Sequence, residues 1–175
     1  SNLQAEIAVI LNLTEDHLDR YASMDAYAAA KQRIFHGARQ LLVNRDDPAS
    51  EPWQDGPAKR WTYGMAPATG DQDYGVSMKD GDSWLMRGSR HLMPVRDIAL
   101  VGRHNIGNAM AALALGHAVG IPEAAMITTL REFGGLPHRC QLLRNLRGVD
   151  YYNDSKGTNV GATLVAIESV AERCR

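Results

Sequence analysis

The sequence predicts an α/β protein with a partly parallel sheet and a small antiparallel meander, and three observations carry that reading. First, a mostly apolar run, AEIAVILNL (Ala5 to Leu13), precedes an alanine-rich helical stretch and then QLLVN (Gln40 to Asn44), the strand–helix–strand rhythm of a βαβ unit. Second, the short runs Tyr74–Lys79, Ser83–Arg87 and Arg90–Val95 are joined by Asp80-Gly81 and Gly88-Ser89, and Asp-Gly between strands signals a type I′ hairpin. Third, helical periodicity returns over Asn105 to Val119 and again over Glu123 to Phe133.

Each element has a local reason. Ala5–Leu13 reads as a strand buried on both faces, as in a parallel sheet. The next helix has Ser23 as N-cap, Asp25 in its first turn and Gly37 near its end. Asp46, Asp47 and Pro48 close the second strand as turn residues. Gly120 and Pro122 stop the helix of NIGNAMAALALGHAV, whose Ala and Gly content implies close packing on a sheet. Gly134-Gly135 before LPHR (Leu136 to Arg139) suits a hinge. Beyond it, VDYYN (Val149 to Asn153) reads as a strand entering the loop DSKGTN, and Val160–Val170 as a helix.

Composition narrows the function classes. The chain has 175 residues, 45% apolar and 22% charged, with a formal net charge of -1, as in an ordinary soluble domain. No Lys/Arg block marks a nucleic-acid surface, and no apolar run is long enough to span a bilayer, so neither partner is expected. Cys140 and Cys174 sit in no metal-type spacing and form no disulfide framework, so the cytoplasm is the expected setting.

The chemistry gathers at element ends. Thr14, Glu15, Asp16 and His17 follow the first strand, at the sheet edge where open α/β sheets bind ligands. Lys31 falls four residues after Tyr27 and three before Ile34, on the apolar stripe of its helix. Burial there would favour a neutral amine able to act as nucleophile, base or carbon dioxide acceptor; the alternative is a lysine snorkelling from the stripe's edge. Asn105 and Asn108 lie at i and i+3 of a helix start, placed to read a ligand or to cap, with capping the expectation for Asn105 alone. Arg139 could clamp a phosphate. NDSKGTN has the strand–loop–helix placement of an anion-binding loop, yet no G-x-x-x-x-G-K-[ST] occurs in the chain.

Taken in order, TEDHLDRY, the lysine of AAAKQRIF, VNRDD, GRHNIGNAMAALA, GLPHR and NDSKGTNVGAT resemble the Mur ligases of bacterial cell-wall synthesis. The resemblance runs from the first strand to about residue 170, whereas folylpolyglutamate synthases match these stretches poorly. Within the family, NDSKGTN is most like the members that add D-glutamate, with Gly157 where they carry alanine.

The resemblance implies a Rossmann-like central ATPase domain over 1–135, lacking its P-loop, and the first strand and helix of a C-terminal α/β domain over 136–175. It implies ATP and magnesium as cofactors. Lys31 as a carbamate and His17 would hold the metal, with Asp16 close by. Asn105 and Asn108 would face adenine, Asp154 the ribose, and His138, Arg139 and Lys156 the ATP phosphates. Thr158 would lie near D-glutamate. The implied reaction phosphorylates the carboxylate of UDP-N-acetylmuramoyl-L-alanine and then forms an amide with D-glutamate. A chain starting after the P-loop would be inactive alone, and a monomer is expected for the full-length protein. The alternatives are a ligase of the same type for another amino acid, or a non-enzymatic nucleotide-binding module.

Overall fold

The computed structural model describes residues 4–15, 20–54, 56–100, 102–158 and 160–173. Six strands form one sheet in chain order: β1 (Ile7–Val9), β2 (Gln40–Asn44), β3 (Lys59–Tyr63), β4 (Asp73–Lys79), β5 (Asp82–Arg87) and β6 (Arg90–Pro94). Strands β1 to β4 run parallel, and β4 to β6 continue as an antiparallel meander. Asp80 and Gly81 both take positive φ at the β4–β5 turn, the geometry of a type I′ hairpin.

The first strand is shorter and less buried than expected. Only Ile7–Val9 is laddered, and it pairs with β2. Among the described residues β1 is an edge strand, so Ile7 and Val9 stay half-buried instead of packing on both faces. The sequence reading also passed over β3, KRWTY, in which two leading cations precede the buried Trp61 and Tyr63.

Helix α1 (Met24–Gln32) starts at Ser23, whose Oγ accepts from the Ala26 N–H at 3.2 Å. Helix α2 (Arg103–Ala118) lies on the sheet, its Ala109, Met110, Leu113 and Ala114 against Leu42, Trp61, Tyr74 and Leu85. Alanines on that face let the helix approach while Met110 and Leu113 fill the space, and Gly116 admits Met126 of α3 (Glu123–Glu132).

The connection from β3 to the parallel β4 is short, spanning residues 64–72. It lies directly over Gly75, where a Cβ would sit 2.4 Å from the Ala66 carbonyl oxygen and 2.5 Å from the Ala68 nitrogen. Glycine is required there by space.

After Gly134-Gly135 come a hairpin, β7 (Gln141–Leu146) and β8 (Val149–Asn153), and helix α4 (Val160–Arg173). The sequence reading missed β7 because its turn is Arg147-Gly148, both at positive φ, and not an Asn-Gly or Asp-Gly pair. Ser169 of α4 is buried against the start of α2, its Oγ 3.1 Å from His104 Nδ1. Among the described residues no helix is long and apolar enough to cross a membrane.

Candidate functional site

The carboxyl edge of the parallel strands is tied together by the polar residues that follow β2. Asn44 Nδ2 donates to the Leu11 carbonyl at 2.8 Å, and the Tyr63 hydroxyl donates to the same oxygen at 3.0 Å. Asp47 Oδ2 accepts from the Leu13 N–H at 2.7 Å, and Asp46 Oδ2 from the Met65 N–H at 2.7 Å. Arg45 donates to the carbonyls of Ala66 and Tyr74 at 3.1 and 3.0 Å. Its Nε lies 3.1 Å from Oδ1 of buried Asp73, an ion pair by distance whose N–H is not aimed along a hydrogen bond. Of these, Asn44, Tyr63 and Asp47 orient the segment after β1 that leads to Thr14 and Glu15. The sequence reading took Asp46 and Asp47 only as turn residues; a polar run at a strand's carboxyl end was the available signal.

This edge also shapes ionisation. Burial first, then the Asp47 and Asp46 carboxylates, pushes the Tyr63 phenol up to about 12, so it remains a donor to Leu11.

The start of α2 forms a second part. Gly102 occupies the N-cap at φ 107°, so Asn105, expected at the cap, stands instead at the third position of the helix. Asn108 Nδ2 donates to Asn105 Oδ1 at 3.2 Å, so the two amides share one face as their spacing requires. On the same turn, Arg103 and Ile106 line a cleft of about 570 Å³ with Met65, Ile98 and Leu100.

The third part joins LPHR to NDSKGTN. His138 Nδ1 lies 2.9 Å from Asn153 Nδ2, and the Lys156 N–H donates to the His138 carbonyl at 3.2 Å. The Cys140 N–H donates to Asp154 Oδ1 at 2.9 Å. His138 and Cys140 both hold left-handed backbone, at φ 66° and 44°, a conformation that costs non-glycine residues and persists only when neighbours impose it. The cross-loop bonds supply that constraint. His138, Arg139, Lys156 and Thr158 are exposed around this clasp, and Asp154 is half-buried.

Of the two readings of Lys31, buried amine or charge kept at the stripe's edge, the structure shows the exposed one. It is exposed in the last turn of α1, with Nζ 5.3 Å from the Tyr27 ring centroid. Tyr27 and Ala28 are buried but Ile34 is 50% exposed, so the apolar stripe ends before it can enclose the lysine. The ammonium itself sits over the aromatic ring, at the exposed surface of the helix. Asp16 and His17 lie outside the described residues. Among the described residues no three His, Cys, Asp or Glu side chains are grouped to hold a metal. The Asn105–Asn108 amide face and the Asp154 carboxylate do offer the donors and acceptors that a nucleoside needs.

The chain matches the model of the Mur ligase middle domain over residues 1–116. It is 52% identical over 168 residues to a UDP-N-acetylmuramoylalanine--D-glutamate ligase of Pseudomonas syringae pv. tomato, covering 96% of this chain and 37% of that relative. It is 50% identical over 170 residues to the ligase of the same name from Nitrosococcus oceani, with the same coverage of 96% and 37%. Its fold is similar to that of MurF from Acinetobacter baumannii, with TM-score 0.77, 19% identity, and 97% of this chain against 38% of that one. MurC from Thermotoga maritima, a UDP-N-acetylmuramate-alanine ligase, superposes with TM-score 0.69 at 19% identity, over 95% and 38% of the two chains. At such identities the structural likeness speaks for the fold alone. The chain spans 37% of the length of the curated relatives it matches. With 116 of its 175 residues matched by the middle-domain model, this chain belongs to the Mur ligase family.

Proposed function

We propose that the full-length protein carrying this chain is an ATP-dependent ligase of peptidoglycan synthesis. It joins D-glutamate to UDP-N-acetylmuramoyl-L-alanine in the cytoplasm, as a monomer. The observation that carries this reading is the half-identity, over nearly the whole chain, to relatives named for that D-glutamate ligation. The convergence of LPHR with NDSKGTN supports it, because a loop pair rich in cations and amides suits a phosphorylated substrate.

In this reading residues 1–135 belong to the central domain and 136–175 open the C-terminal one. Asn105 and Asn108 hydrogen-bond the adenine edge, and Asp154 accepts from the ribose hydroxyls. His138, Arg139 and Lys156 surround the phosphates, where their cationic or N–H groups offset charge that develops during phosphoryl transfer. Thr158 lies beside D-glutamate. The substrate carboxylate takes the terminal phosphoryl group of ATP as ADP leaves. The D-glutamate amine then attacks the acyl carbon, inorganic phosphate departs, and the amine gives up its proton. Magnesium would supply further charge neutralisation. His17, and Lys31 once its amine carries a carbamate, are the residues that would hold it.

The test is phosphate release by the full-length protein with UDP-N-acetylmuramoyl-L-alanine, ATP and magnesium. D-glutamate, L-alanine and meso-diaminopimelate are offered separately. Release with D-glutamate is expected. Release only with another amino acid would move the chain to a sibling activity, and no release with any would favour a binding module. The 175-residue chain by itself, which carries no P-loop sequence, is expected to release none.

A further inference from the structure

The Asp154 carboxylate is turned inward. Its Oδ1 accepts from the Cys140 N–H at 2.9 Å, and its Oδ2 lies over Gly157, 2.5 Å from where a Cβ on that residue would stand. Gly157 is not among the glycines with left-handed backbone, so no torsional demand excludes a side chain. What a Cβ would meet is Asp154: the Oδ2, then the carbonyl oxygen at 3.2 Å and Cγ at 3.3 Å. The carbonyl is itself held by the Gly157 N–H at 2.8 Å, which leaves the carboxylate as the group able to move. The other end of the Cys140 bond is strained too, with Cys140 at φ 44°.

We propose that Gly157 is a positioning residue for Asp154: lacking a Cβ, it lets the carboxylate fold back onto the Cys140 N–H, and a ribonucleotide must draw it out of that clasp to bind. The inference rests on the reading of Asp154 as a ribose ligand. A vicinal diol held by both its hydroxyls needs the two oxygens of the carboxylate facing it together, and the clasp turns Oδ1 to the Cys140 N–H and Oδ2 onto Gly157. Nucleotide and the Cys140 amide therefore compete for one carboxylate. Binding at Asp154 removes a bond that holds the hinge loop in left-handed backbone. A protein resting mainly in the clasped state binds more weakly by the fraction that is competent.

The experiment uses the full-length protein, with ADP as the probe, titrated calorimetrically against the wild type, Gly157→Ala and Asp154→Ala. Amide hydrogen exchange at Cys140 is read in parallel, with the buried α2 residue Leu113 as the folding control. Gly157→Ala is expected to tighten ADP by about three- to tenfold and to speed exchange at Cys140, leaving Leu113 protected. Asp154→Ala is expected to weaken ADP. In the wild type, saturating ADP is expected to speed exchange at Cys140. That last measurement needs no variant to fold. Unchanged or slower exchange at Cys140 with ADP bound would overturn the competition, as would Gly157→Ala binding ADP no better than the wild type. If Asp154→Ala binds ADP as the wild type does, the ribose reading itself has failed, which is a different result from a failure at Gly157.

Discussion

Tyr63 and Asn44, from adjacent parallel strands, donate to a single acceptor, the carbonyl oxygen of Leu11, at 3.0 and 2.8 Å. That carbonyl belongs to the segment leaving β1, so two core strands orient the chain that approaches Thr14 and Glu15. Tyr63→Phe is expected to cost about 1 kcal/mol, the net worth of a typical hydrogen bond. Asn44→Ala is expected to cost about 1–2 kcal/mol, because Asn44 Oδ1 also accepts from the Asp46 N–H at 2.9 Å. Because the two donors share one acceptor, the double variant should depart from additivity. Urea unfolding of the full-length protein measures all three, and strict additivity would show the donors to be independent.

Gly75 and Gly70 form a matched pair for testing the short β3–β4 connection. An alanine at 75 drives its Cβ into the backbone of Ala66 and Ala68, whereas one at 70 meets nothing within 4 Å. Gly75→Ala should destabilise by about 3 kcal/mol, the upper range for overpacking, while Gly70→Ala stays within about 0.5 kcal/mol. Thermal unfolding distinguishes them, and equal midpoints would contradict the placement of the connection.

The two buried phenols should titrate late. Burial is the leading cause for both Tyr63 and Tyr74, raised to about 12 from an ordinary value of 10.0. For Tyr74, Arg87 and Arg90 oppose the rise and Glu123 adds to it. The folded-state value exceeds the unfolded one, so the stabilisation is full below pH 10 and is lost as pH rises towards 12. Ultraviolet difference titration should show the Tyr63 and Tyr74 phenols ionising only towards pH 12. Tyr63→Phe should remove one late step.

His117 carries the opposite dependence. Its ring Nδ1 lies 3.0 Å from Arg87 NH1, and its plane meets Trp61 edge-on at a centroid distance of 5.2 Å. Desolvation first, then the charges of Arg87, Lys59 and Arg90, hold its pKa below 6.5, with Glu123 opposing them. The unfolded chain therefore binds the proton more readily. Stability is full above pH 6.5 and falls as pH drops through the folded value. His117→Gln should flatten unfolding free energy between pH 7 and 5, and the imidazole resonance of the wild type should titrate below 6.5.

Lys31 separates a chemical role from a structural one. Because it is exposed, Lys31→Arg should change stability by no more than about 0.5 kcal/mol. Guanidinium cannot form the carbamate, so phosphate release by the full-length protein should fall by at least about a hundredfold, roughly 2.7 kcal/mol of transition-state stabilisation. Retained activity would remove Lys31 from the proposed machinery.

The residues of the sequence sufficed for whatever depends on near neighbours. Ser23 as a cap, QLLVN as a strand, the Asp80-Gly81 turn and the alanine-rich helix on the sheet are set by local propensity and periodicity. The pairing of Asn105 with Asn108 follows from one turn of helix. Other features required the folded chain. The exposure of Lys31 depends on how far α1 is covered, and helical spacing places a stripe without saying where its cover stops. β3 and β7 lack the common strand and turn signals, so their pairing shows only once partners are present. Asn44 and Tyr63, from two strands, and Asp47 after the first of them all reach the segment leaving β1, while Asp154 reaches Cys140 across fourteen residues. The sequence by itself determined most of the elements and the chemical inventory of the sites. Tertiary structure decided which donors meet which acceptors, because those distances depend on how strands and loops distant in the chain are brought together.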